Sequence, residues 1–220
     1  SEADGAQVFL HLLFFLSICG ATANTYLFDP SKDKYYAMIL LGMDAKKYTL
    51  ANYFYAIFKV LLGFGLFSLI FGIPMGLKVW QCLLIPVFVA GVKMTYAAIQ
   101  LIGYEKDGTA NSETKLSKIW WLSMLLLLGA AYGLPFTGFL LPVPVSLVLM
   151  CFGAFLGLLS LKKVLCFVHY RPMYQELLAD VPMKDTPAAN TSVRDQSRDK
   201  ISMEQGSSKR KGFEYLNELF

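Results

Sequence analysis

The sequence predicts an all-α, polytopic helical membrane protein with about five transmembrane helices. Three observations predict it. The 220-residue chain is 55% hydrophobic and only 16% charged, where soluble domains run at about 25% charged. Its apolar residues are clumped: stretches 6–28, 53–76, 79–103, 119–141 and 143–168 together hold four charges, Lys59, Lys93, Lys162 and Lys163, and no acid. Each stretch meets the roughly 20 residues that a helix needs to cross a bilayer. A soluble enzyme, a secreted disulfide-rich domain and a disordered chain are all excluded.

Basic residues orient the stretches. The loop between the first two carries Lys32, Lys34, Lys46 and Lys47, and the loop between the third and fourth carries Lys106, Lys115 and Lys118. The alternate side has Lys78 alone. By the positive-inside rule, loops 29–52 and 104–118 and the tail from 169 are cytoplasmic, with the N-terminus outside a cell membrane crossed several times. The formal charge of +4 lies wholly in residues 1–168, because the tail 169–220 is neutral. A chain that begins outside at Ser1, with no basic signal region, reads as a fragment of a longer membrane protein with at least one more span upstream.

Each span has its own markers. The first holds His11, near the outer face. The second, entered at Asn52, contains Gly63, Gly65, Gly72, Pro74 and Gly76; the third has Pro86, Ala90 and Gly91. The fourth opens on Trp120 and Trp121, residues at home at a membrane interface, and runs to Gly129, Gly133, Pro135 and Gly138. Pro74 and Pro135 are expected to kink or end their helices. The pairs Gly72/Gly76, Gly129/Gly133 and Gly153/Gly157 have the small-xxx-small spacing that brings helix backbones together in lipid. The turn Leu141-Pro142-Val143-Pro144 is too short and apolar for an external domain, so spans four and five form a tight hairpin.

Candidate chemistry is sparse. Lys93 is the one ionisable residue deep in a span, about 15 Å along the axis from Gly103. Such charges face a bundle interior or a watery cavity. Lys93 therefore reads either as part of a substrate path or as a cation whose partner comes from missing sequence or another subunit. Lys59 lies nearer a helix start and snorkels. Cys19, Cys82, Cys151 and Cys166 all fall in spans without a CxxC pair, so they pack as small hydrophobes. His11 and His169 lie at opposite depths. The residues assemble no catalytic set, metal site or cofactor motif, so an integral membrane enzyme has no residues behind it, and ATP hydrolysis, if any, belongs to a partner.

The first cytoplasmic loop is the most informative segment. Phe28-Asp29-Pro30-Ser31 marks a helix start with Ser31 or Asp33 as N-cap. Tyr36, Ile39, Leu40 and Met43 then follow i, i+3, i+4, i+7, which is one apolar helical face within a loop helix around 33–48. A helix of this kind either lies on the membrane surface or docks a soluble partner.

The run Asp33-Lys34-Tyr35-Tyr36-Ala37-Met38-Ile39-Leu40-Leu41-Gly42-Met43-Asp44-Ala45-Lys46-Lys47-Tyr48, followed by Leu50-Ala51-Asn52-Tyr53, resembles permease subunits of Firmicute ABC exporters. The closing run Lys211-Gly212-Phe213-Glu214-Tyr215-Leu216-Asn217-Glu218-Leu219-Phe220 is similar to the same family's entry into its next membrane half. Elsewhere the agreement is in hydropathy alone. The resemblance implies a cytoplasmic loop helix that docks into an ATPase subunit, a role that falls here on Tyr36, Ile39, Leu40, Met43, Asp44, Lys46 and Lys47. It also implies further membrane spans or a second permease copy as partners, since such permeases have more than five spans.

The tail, from His169, has a disordered composition over about 182–210 and begins an amphipathic helix at 211–220, with Phe213, Leu216 and Phe220 on one face. Lys209, Arg210 and Lys211 suit the anionic surface of the lipid bilayer. No nucleic-acid partner is expected of a neutral tail. Two functions follow as expectations: a membrane permease subunit that couples a cytoplasmic ATPase to export, or, alternatively, a non-transporting scaffold that recruits soluble partners through its amphipathic segments.

Overall fold

Hydrocarbon offers backbone groups no hydrogen-bond partner, so apolar segments of this length close their bonds internally as helices. The computed structural model describes residues 5–23, 25, 27–108 and 118–179, all within one unit, Ser1–Val181. The disordered region expected over 182–210 and the amphipathic start at 211–220 lie outside them, as does Lys115. Seven α-helices follow in order: α1 Gly5–Ala23, α2 Lys32–Tyr35, α3 Ala45–Gly72, α4 Val79–Asp107, α5 Lys118–Phe136, α6 Val143–Cys166 and α7 Tyr170–Ala179. A π-helical turn, Tyr36–Leu40, continues α2. No strand occurs among the described residues.

Four helices, α1, α3, α4 and α6, are long and apolar enough to cross a membrane. The apolar run of α5, Trp120–Phe136, is shorter. At one end of the bundle, here the turn end, a Cβ on Gly5 would stand 4.0 Å from Met75 Cβ, and Gln7 Nε2 donates to Leu140 O at 3.4 Å. At the opposite, loop end, Thr25 Oγ1 donates to Gln100 Oε1 at 3.1 Å and Lys163 pairs with Glu105 at 2.5 Å. Helix α4 therefore finishes at the loop end while α6 starts at the turn end.

Helix α4 is the hub, packed against α1, α3 and α6, whereas α5 rests on α1. Its contact with α6 is backbone on backbone. A Cβ on Gly157 would stand 2.2 Å from Gly91 Cα, and one on Gly91 would stand 2.7 Å from Gly153 O. A Cβ on Gly153 would strike the Phe88 ring at 2.6 Å. Of the three small-residue pairs in the sequence, only Gly153/Gly157 works in this way. Gly129 and Gly133 face open space, and Gly76 sits in the turn after α3 with φ +92°.

The prolines divide by position. Pro74 lies in the turn that follows α3, and Pro135 is the penultimate residue of α5, so both mark helix ends. Pro86 instead sits inside α4. A proline removes the N–H that would serve the carbonyl four residues back, here that of Cys82. Ser68 Oγ, buried on α3, donates to Cys82 O at 2.9 Å and restores the missing bond across the α3–α4 seam.

Two buried clusters result. At the turn end Phe9, Leu10 and Leu13 of α1 pack with Ile85, Phe88 and Val89 of α4 and Met150 of α6. His11, buried among them, receives the Leu141 N–H at Nδ1 (3.3 Å) and lies 3.1 Å from Ala130 O through Nε2. It thus ties α1 to α5 and to the hairpin turn. At the loop end Leu27, Phe28, Tyr53, Leu101 and Phe167 pack with Tyr170, Met173, Tyr174, Leu177 and Leu178 of α7.

Replacing Gly157 by Leu is expected to destabilise the bundle by about 1–3 kcal/mol or more, since overpacking here pushes backbone against backbone. Gly133→Ala, in open space, should stay within about 1 kcal/mol of wild type. Thermal unfolding in detergent micelles reads both. Equal midpoints for wild type and Gly157→Leu would remove the α4–α6 contact from this account.

Candidate functional site at the loop end

The loop segment expected as one helix over 33–48 is built in three pieces. Ser31 precedes α2 in an extended conformation without a side-chain cap bond. After the π-helical turn, Leu41 N–H donates to Tyr36 O and Met43 N–H to Ala37 O, each at 2.9 Å. Gly42 makes this closure possible with φ +65°, where a Cβ is disfavoured. Asp44 then caps α3, its Oδ1 accepting the Lys47 N–H at 2.9 Å. The second long helix thus begins at Ala45, and Lys46 and Lys47 belong to its first turn. The sequence boundary near 52 missed this cap because Asp44 was read as part of one continuous loop helix.

Which face of the segment looks outward follows from its anchors. Lys34 is buried; its Nζ donates to Asp29 O at 2.8 Å and lies 5.4 Å from the centre of the Tyr174 ring. Ala37 is buried, and Tyr35 and Met38 pack partly against the loop-end core. The opposite side is apolar and exposed: Tyr36 38%, Ile39 40%, Leu40 56%, Leu41 76% and Met43 51%. The i, i+3, i+4, i+7 face read from the sequence is therefore the face the fold leaves open.

Helix α7 provides the platform. Tyr170, Met173, Tyr174, Leu177 and Leu178 are its buried residues, at i, i+3, i+4, i+7, i+8. That periodicity was available in the sequence but fell beyond the boundary at 168, in what read as tail. The Tyr174 hydroxyl donates to Leu27 O, joining α7 to the segment before α2. The Tyr170 hydroxyl donates to Val164 O at 2.7 Å. Burial pushes the Tyr170 hydroxyl well above the ordinary tyrosine range.

Lys93 sits apart from this end. It lies at the middle of α4, is 6% exposed and is not without a partner. Among the described residues no three His, Cys, Asp or Glu side chains converge as metal ligands. No protein-family model, curated protein or solved structure matches the chain.

Two outcomes test the platform. Tyr174→Phe leaves the buried Leu27 carbonyl without its donor, a loss of about 1–3 kcal/mol, and should raise the rate of tryptic cleavage at Lys32 and Lys34. A cleavage pattern identical to wild type would show that Tyr174 does not hold this segment. For Tyr170 the sign is fixed by the raised folded-state value. Above about pH 10 the unfolded chain releases the phenolic proton first, so the contribution of Tyr170 to stability is constant below that pH and falls above it. Tyr170→Phe should lack this alkaline slope in pH-dependent unfolding.

Proposed function

We propose that this chain is a permease subunit of an ATP-driven exporter, with the Tyr36–Met43 knob as the docking element for a cytoplasmic ATPase. The observation that carries the reading is a set of five consecutive-turn apolar side chains held outward at one end of a membrane bundle. Tyr36, Ile39, Leu40 and Met43 supply the hydrophobic anchor, with Leu41 at its tip. Asp44, Lys46 and Lys47 form a polar rim beside it, the arrangement found at protein interfaces. Lys32, Lys34, Lys46, Lys47 and Lys106 lie on segments at this same end while Lys78 lies at the other, which supports a cytoplasmic placement under the positive-inside rule.

In this reading α5 completes a fifth crossing, because it joins a helix that ends at the loop end to one that begins at the turn end. The N-terminus is then external and the chain is multi-pass in the cell membrane. Closure of the ATPase would push on the knob, and its anchors on α7 and α3 would pass the displacement to the bundle. Buried Lys93, at mid-depth in the hub helix, is the group placed to meet a polar or anionic cargo along a path completed by further spans or a second copy.

Replacing Ile39 and Leu40 together by Asp should leave insertion intact and abolish productive docking. Two central anchors are worth about 2 kcal/mol or more, so permease-stimulated ATP hydrolysis should fall at least about tenfold. The assay is ATPase activity co-purified with the chain from native membranes and reconstituted with it. Stimulation that survives the double substitution unchanged would reject docking through this knob. Normal export of every tested compound by a Lys93→Met chain would reject Lys93 as part of the path.

A further inference from the structure

A second feature lies on the flank of the bundle. Helices α1 and α3 both rest on α4, and toward the turn end the Phe9 and Phe67 rings stack at 6.3 Å. Between the two helices runs a lateral groove of about 630 Å³, walled by Leu13, Leu16 and Ser17 of α1 and by Val60, Gly63 and Phe64 of α3. Its size falls within the range of ligand sites. Lys59 is the one charged residue on its lining.

Two contacts fix the level of the polar groups in this groove. Ser68 of α3 bonds Cys82 O of the antiparallel α4, and nine residues toward the loop end from each stand Lys59 and Gly91. Phe14 of α1 stacks on Phe88 of the parallel α4 at 5.4 Å, and three residues onward from each stand Ser17 and Gly91. Lys59 and Ser17 therefore share the level of Gly91, two residues from Lys93 at the midpoint of α4. Because α3 starts at Ala45 rather than near Asn52, Lys59 is at its middle, roughly 20 Å from either end. A lysine stem does not span that distance, which withdraws the snorkelling role expected of a residue near a helix start.

Both groups have hydrogen to donate. Lys59 is exposed, and its ammonium lies 4.6 Å from the centre of the Tyr55 ring, a contact that brings no negative charge. The Ser17 hydroxyl is buried, the residue 3% exposed, and it has no hydrogen-bond partner among the described residues. An ammonium and a hydroxyl on facing walls at one level suit a carboxylate, which has two accepting oxygens. Lipid phosphates lie outside the hydrocarbon core, so an anion at this level arrives on a segment that itself crosses the membrane. Ionisable groups inside membrane helices pair with one another for this reason.

We propose that the α1–α3 groove seats a partner transmembrane helix carrying one Asp or Glu at mid-depth, its carboxylate set between Lys59 and Ser17. Charge complementarity selects this occupant. A second copy of these helices does not supply the acid, because the five apolar stretches of this chain contain none. Gly63, one turn from Lys59, faces open space and lets a partner backbone come close beside the cation. The inference stands apart from export, since it needs only a bilayer around the helices.

The probe is a synthetic Leu-rich membrane helix with Glu at its centre. It is compared with a version bearing Leu there and one with the Glu moved two turns toward an end. Energy transfer between labelled peptide and labelled full chain in phosphatidylcholine liposomes at neutral pH measures association. Wild type should bind the central-Glu helix about fivefold more tightly than the Leu helix, the weight of one polar contact between membrane helices. The displaced Glu should lose most of that gain. Lys59→Met should abolish the preference, Lys59→Arg should keep it, and Lys59→Glu should transfer it to a helix with a central Lys. Gly63→Leu, whose side chain enters open space, should weaken binding of every peptide. Equal binding of the Glu and Leu helices by wild type, or a preference that persists in Lys59→Met, overturns the proposal. So does energy transfer between two wild-type copies that Gly63→Leu abolishes, which would show a second copy covering the groove. Loss of the preference in phosphatidylglycerol liposomes overturns it too, by showing lipid in the partner's place.

Discussion

Close packing of α4 on α6 governs the rest of the bundle, and it rests on three missing side chains. In lipid there is little hydrophobic drive for one helix to join another, so association depends on how closely backbones approach. Gly91, Gly153 and Gly157 permit an approach at which a single Cβ would stand 2.2 Å from a neighbouring Cα. With α6 fixed there, Phe88 wedges against Gly153 and α4 offers its remaining sides to α1 and α3. The Pro86 gap in the α4 ladder falls on the α3 side, and Ser68 fills it. One helix thus gathers three neighbours, each by a different device: absent side chains, a borrowed hydroxyl and packed aromatics.

Much of this was legible in the residues, and the reasons for the remainder are physical. Hydropathy located the four long apolar helices and the hairpin at Pro142, but it began the second helix near Asn52 rather than at Ala45. Small-residue spacing singled out Gly153/Gly157 but equally Gly129/Gly133, which face open space. Spacing states that backbones can approach; it does not say which neighbour arrives, and Gly91 has no partner glycine four residues away to announce it. The role of Ser68 was hidden for a similar reason, since it answers a proline 18 positions later in the sequence. His11 looked like an isolated interfacial residue, yet its ring serves two backbone groups more than 100 residues distant.

The loop end shows the opposite balance. Periodicity identified Tyr36, Ile39, Leu40 and Met43 as one face, and the fold presents that face outward. What periodicity could not supply was the anchor. Lys34 looked like one more orienting charge, but it is buried against Tyr174 and the Asp29 carbonyl. Its amphipathic stem covers apolar surface while its head finds an acceptor and an aromatic face. Helix α7 has a clear apolar stripe, yet next to five stretches of much higher hydropathy it reads as the start of a polar tail. Local amphipathicity is masked when the surrounding chain raises the threshold for what counts as buried.

Lys34, Lys59 and Lys93 together show three ways in which this bundle handles a cation. Lys34, at the loop end, is neutralised in effect by a carbonyl and a ring. Lys93, at the centre of the hub helix, is enclosed and engaged within the chain. Lys59, at the midpoint of α3 and so at nearly the same level as Lys93, leans its ammonium on Tyr55 at the edge of an apolar trough. Solvent cannot follow a charge into such a trough, and a tyrosine face offsets only part of the lost hydration.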